Sequence, residues 1–132
     1  MKKGLVTLIV VGILGGGVWW TYDHVHKRNQ KADAKHAGCE QALHAYYQGG
    51  VVSLILPDDV STTRYVEQLE EAARTVGDSR IARSIRYTIQ DVEALRQAYH
   101  RGDEDAMSVA KRKADQDREE WWSPCWEVAG WS

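Results

Sequence analysis

The apolar positions of this chain fall into one long unbroken run and then into short periodic pieces. From Gly4 to Tyr22 nineteen residues pass without a charge. At about 1.5 Å per residue a helix of that length spans about 30 Å, the hydrocarbon thickness of a bilayer. Trp19, Trp20 and Tyr22 close the run, where amphipathic rings favour the headgroup zone, and Asp23, His24, His26, Lys27 and Arg28 end it. The pattern predicts a transmembrane signal-anchor over residues 1–22, a polar juxtamembrane linker over 23–31 and a separate domain over 32–132. A cleaved signal fits less well. The nearest small-residue pair, Ala32-x-Ala34, lies ten residues past the run, and Cys39 is too distant for a lipoprotein signal. Gly12 and Gly16 form a small-xxx-small pair, the kind of face on which a second membrane helix packs closely.

After residue 31 the spacing is helical. Cys39, Ala42, Leu43 and Tyr46 make one stripe of a first helix over about 32–47, with Gly49-Gly50 as its stop. Val51 to Leu56, bounded by glycines and by Pro57-Asp58-Asp59, reads as a strand or a buried connection, and with no second strand to pair it, as a hydrophobic connection packed on the bundle. A second helix starts in Ser61-Thr62-Thr63 and carries Val66, Leu69, Ala73 and Val76 on one face, ending at Gly77. The third has the clearest seam: Ile81, Ile85, Thr88, Val92, Leu95 and Tyr99 recur at alternating four and three, between a cap at Asp78 or Ser79 and a stop at Gly102. Asp103-Glu104-Asp105 open a fourth, where negative charge suits the helix dipole. Its apolar face is thin (Met107, Ala110, Ala114, Trp121), and Pro124 is expected to end it. The expected fold is all-α: a small antiparallel bundle of about four helices behind one membrane helix.

Composition narrows the function. Seventeen basic against nineteen acidic residues argue against a nucleic-acid partner, which calls for a basic excess. Two cysteines rule out a four-cysteine zinc site but allow one disulfide. In an up-down bundle the first helix begins near the end at which the fourth finishes, so Cys39 and Cys125 can meet. A bridge closing so long a loop stabilises by about 4–5 kcal/mol in the loop-entropy model, comparable with the net stability of a small domain. Such a bridge persists in an oxidising compartment. That decides orientation, which basic residues on both flanks of the run leave ambiguous: N-terminus cytoplasmic, domain periplasmic or extracellular.

The candidate chemistry is sparse. His36, Glu40 and His44 are spaced for one helix face, without a fourth ligand, and read as a polar helix face rather than a metal site; His24-x-His26 reads as a pair of interfacial residues. Arg80, Arg83 and Arg86 make a basic stripe suited to anionic headgroups or an acidic partner, or else paired with acids of neighbouring helices. Trp121, Trp122, Trp126 and Trp131 put four tryptophans into eleven residues, more than a lid over the disulfide needs. Tryptophan is enriched at binding hot spots and membrane interfaces. No nucleophile elbow, phosphate loop or zinc-protease helix occurs, and the carboxylates fall on solvated faces where raised pKa values are not expected. The expectation is a non-enzymatic accessory or regulatory subunit. Its partners are the lipid bilayer and another envelope or membrane protein, with no cofactor, no metal and no small-molecule substrate evident. A phage- or plasmid-type exclusion, immunity or lysis-control protein has the same body plan, as does a secreted binding module if the signal is cleaved.

Overall fold

The computed structural model describes the backbone of residues 16–130 and the side chains of residues 31–130. All regular structure among them is helical: α1 (Gly16–Ala45), a π-helical turn (Tyr46–Gly50), α2 (Val51–Ile55), α3 (Asp59–Thr75), α4 (Ser79–Arg101) and α5 (Glu104–Ala129). Most of the proposed anchor, Gly12 included, lies outside the described residues, and Gly16 is the first of them. Among the described residues no helix is long and apolar enough to cross a membrane. The expected linker, 23–31, lies within α1. The chain from Ala34 onward is one compact unit, and the following concerns that unit.

Aspartates start three helices. Asp58, Asp78 and Asp103 each accept a hydrogen bond from the backbone N–H three residues on, at Ser61 (2.8 Å), Ile81 (3.0 Å) and Ala106 (3.0 Å). The Ser61-Thr62-Thr63 cluster therefore does not cap α3; the aspartate before it satisfies the free N–H first, and Thr62 is fully buried instead. Gly102 ends α4 in the left-handed region (φ 67°), a geometry that a Cβ disfavours.

Three expected boundaries are corrected. Gly49-Gly50 does not stop the first helix; the backbone stays helical at Gly50 (φ −65°, ψ −42°) and passes through one π turn into α2. Gly50 serves close packing, because a Cβ there would sit 2.6 Å from the Tyr65 ring. Val51–Leu56 is accordingly no strand, and only Ser53 and Leu54 of it are buried. Pro124 lies inside α5, which runs on to a left-handed cap at Gly130 (φ 72°). The carbonyl that Pro124 leaves without its helical donor belongs to exposed Glu120, where water can serve it, while fully buried Trp121 and Cys125 hold the inner face of the same turn.

The core forms two connected layers. The larger gathers Leu43, Tyr65, Leu69, Val76, Ile85 and Val92 around Trp121 and Cys125. The smaller joins Leu54 and Leu95 to Ala110 and Ala114. The third-helix seam holds as read except at Tyr99, which is 38% exposed. The thin face of α5 is a packing device: alanines let α4 and α5 approach, and one large ring, Trp121, fills the space below them.

Candidate functional site

Cys39 of α1 and Cys125 of α5 form the expected disulfide, with Cα atoms 4.8 Å apart and both residues fully buried. It brings the end of α5 against α1, and this placement builds the aromatic cluster beside it. The oxidised pair leaves no thiol at Cys39.

The tryptophans divide by role. Trp121 is fully buried and donates its indole N–H to Thr88 Oγ1 at 3.0 Å; Thr88 in turn donates to the Ser84 carbonyl at 3.1 Å. Burial takes Trp121 out of any contact surface. Trp122 and Trp126, one turn apart on the outer side of α5, are half-buried and stacked with centroids 4.8 Å apart. Trp122 donates its N–H to the Tyr47 hydroxyl at 3.1 Å, and the Tyr47 ring meets Trp126 edge-on at 6.4 Å. Tyr46 packs edge-on against Tyr47 at 5.1 Å under the Arg118 guanidinium, 4.6 Å from the ring centroid. Partial burial and the nearby acidic groups hold the Tyr46 hydroxyl above its ordinary pKa, against the pull of Arg118. Trp131 lies outside the described residues. The result is an aromatic surface on the π turn and α5, with the Trp122 N–H and the Tyr47 hydroxyl paired at its edge. Of the two tyrosines only Tyr46 was legible, as part of a helix stripe; both fall at the end of the expected helix, where the backbone forms the π turn instead of stopping.

Arg80, Arg83 and Arg86 lie exposed along α4, and among the described residues none of them makes an ion pair. Arg74 and Arg96, by contrast, are tied to Glu71 and Glu93. His36 pairs weakly with Glu40 at 3.5 Å on the surface. Among the described residues no three His, Cys, Asp or Glu side chains come together to hold a metal.

One carboxylate departs from the expected solvated pattern. Asp91 of α4 is 6% exposed and its Oδ2 has no hydrogen-bond partner. Burial and the facing Asp117 carboxylate push its pKa up to about 7, against the pull of Lys113, whose Nζ stands 3.9 Å from Oδ1. The seam explains why: Asp91 sits next to Val92 and one turn from Thr88, on the side that α5 covers. The neighbouring cleft between α4 and α5 is open and mixed in charge, with Arg101, Lys113, Asp103 and Asp105 on its walls.

The fold and these features define a small all-helical bundle closed by one disulfide. No family model, no curated protein and no solved structure matches the chain.

Proposed function

We propose that this chain is a single-pass membrane protein whose helical domain lies outside the cytoplasm and acts by contact with another envelope protein, as a non-enzymatic accessory or regulatory subunit. The observation that carries the reading is the Tyr47–Trp122–Trp126 cluster. Stacked rings, with the Trp122 N–H paired to the Tyr47 hydroxyl, present large apolar area at little further entropy cost, the property of residues that anchor interfaces. The buried Cys39–Cys125 bridge supports an oxidising compartment. The uncharged run over residues 4–22 supports the tether. The stripe of Arg80, Arg83 and Arg86, which makes no ion pair among the described residues, offers a second contact, for anionic headgroups or an acidic face of the partner.

Crosslinking in intact cells tests this reading. A photoreactive amino acid at Ser123, exposed beside Trp122, is expected to capture one stoichiometric membrane protein. Trp122→Ala combined with Trp131→Ala is expected to abolish capture. Undiminished capture by the double variant, or a reporter after Ser132 active only in the cytosol, overturns the reading.

A further inference from the structure

The charges of the compact unit are sorted by end. The chain enters the unit at Ala34, and the α3–α4 turn packs against this entry: a Cβ on Gly77 would stand 3.7 Å from the Ala34 Cβ, and Lys35 Nζ stands 3.4 Å from Asp78 Oδ2. That pair cancels, as does Arg74 with Glu71. Residues 79–90 of α4 then carry Arg80, Arg83 and Arg86, all exposed, and no acid. Tyr87, 48% exposed, lies one turn beyond Arg83 on the same outer face. Arg86 shares the groove between α3 and α4 with Glu70 and Glu93, so the charge presented outward is chiefly that of Arg80 and Arg83. Against them stands Glu127, in the last turn of α5. The opposite end has the opposite sign. His100 Nε2 meets Asp59 Oδ1 at 2.9 Å, which sets the end of α4 beside the start of α3. There Asp58, Asp59, Asp103, Glu104 and Asp105 stand against His100 and Arg101. The 23 residues of α4 hold the two ends about 35 Å apart.

We propose that the entry end of the domain, centred on Arg80 and Arg83, docks on anionic phospholipid of the bilayer that holds the chain, with the acidic end turned away. This docking rests on the tether proposed above and names lipid as what the arginine stripe meets. Residues 23–33 alone separate the uncharged run from Ala34, so the tether holds the entry end closest to the headgroups. Acids outnumber bases over residues 34–132, 17 against 12, yet the excess does not oppose docking. Salt screens charge over about 8–10 Å, and the acidic end stands several such lengths away. A guanidinium pairs with phosphate through two parallel hydrogen bonds, and an exposed tyrosine ring beside it suits the headgroup zone. An acidic protein is the poorer occupant. Arginines with little apolar surface around them give steering more than affinity, whereas lipid is kept at high local concentration by the tether itself.

The test uses the full chain in lipid nanodiscs. A fluorescent amino acid is placed at Ser79, beside Arg80, or at Ser108, exposed in the second turn of α5. In discs of mixed phosphatidylglycerol and phosphatidylcholine, a nitroxide on the headgroups is expected to quench the Ser79 probe strongly and the Ser108 probe weakly. Quenching at Ser79 is expected to fall in phosphatidylcholine alone and in high salt. Arg80→Gln with Arg83→Gln is expected to lower the ratio of docked to undocked domain about 25-fold, about fivefold for each charge removed. Circular dichroism should stay unchanged, because both positions are exposed. Arg101→Gln, at the acidic end, should leave the docking intact. Chains that sit in the discs with Ser79 quenching indifferent to phosphatidylglycerol and to the arginine substitutions overturn the docking and leave the tether standing. Chains that do not enter the discs overturn both. Arginine variants that keep the quenching but lose the protein captured by crosslinking assign the stripe to that protein, and the docking is overturned.

Discussion

Asp91 of α4 faces Asp117 of α5 inside the helix interface, and the two carboxylates attract only when they share a proton. The consequence is a pH dependence of definite sign. In the unfolded chain Asp91 titrates near 3.8; in the folded chain it titrates near 7. Between those values the folded state holds a proton that the unfolded state has lost. Stability from this group is complete below about pH 4 and is lost as pH rises through 7. The difference across the window amounts to about 2–4 kcal/mol. Urea unfolding is therefore expected to give a lower midpoint at pH 8 than at pH 5. Asp78 does not interfere: its backbone bond from Ile81 holds its pKa below the usual range, so its contribution is lost only in stronger acid.

Asp91→Asn removes the titration and keeps the shape. The variant is expected to be more stable than the parent at pH 8, by about 1–3 kcal/mol, the scale of a buried unsatisfied charge relieved. Its midpoint should be flat between pH 5 and pH 8. A parent curve that is already flat would show that Asp91 is not the buried acid.

Two adjacent glycines are expected to answer alanine in opposite ways. At Gly50 a Cβ lands 2.6 Å from the fully buried Tyr65 ring, whose burial leaves it nowhere to move. Gly50→Ala should cost about 1–3 kcal/mol, the ordinary range for overpacking. At Gly49 the space is open and the backbone helical, so Gly49→Ala should gain about 0.5–1 kcal/mol from helix propensity. Thermal melting at low protein concentration compares them directly. Gly38 on α1 belongs with Gly50, because a Cβ there would fall on the Val76 backbone.

These glycines also mark what the sequence could convey. Helix faces were legible because burial repeats at three and four, and the third-helix seam followed from that spacing, while its cap was narrowed to Asp78 or Ser79 and only the structure selects Asp78. The disulfide was legible because two cysteines and an up-down order leave one pairing. Gly49-Gly50 was misread because a glycine that ends a helix and a glycine that admits a neighbour's ring look alike until the neighbour is known. Pro124 was misread for a similar reason: whether its missing N–H ends a helix depends on where the freed carbonyl points. Asp91 was overlooked because a carboxylate at the edge of a seam is solvated or buried according to the partner helix. The aromatic cluster needed the π turn, which no residue pattern announced.

The bridge between Cys39 and Cys125 is the last and most direct prediction. It links residues 86 apart in sequence and joins α1 to α5 beside the larger core layer. Removing it frees a loop of nearly the whole domain in the unfolded state, a loss of about 4–5 kcal/mol in the loop-entropy model. Cys39→Ser should lower the melting temperature by well over 10 °C, since about 1 kcal/mol moves a domain of this size by about 4–8 °C. It should also leave Cys125 open to alkylation on partial unfolding. The aromatic cluster depends on the same bridge, because Trp122 and Trp126 flank Cys125 on α5 while Tyr47 lies in the π turn that directly continues α1 beyond Cys39. Tryptophan fluorescence should therefore shift toward longer wavelength in Cys39→Ser, as the indoles gain water. Unchanged melting together with an unchanged spectrum would mean that packing alone holds the two helices together.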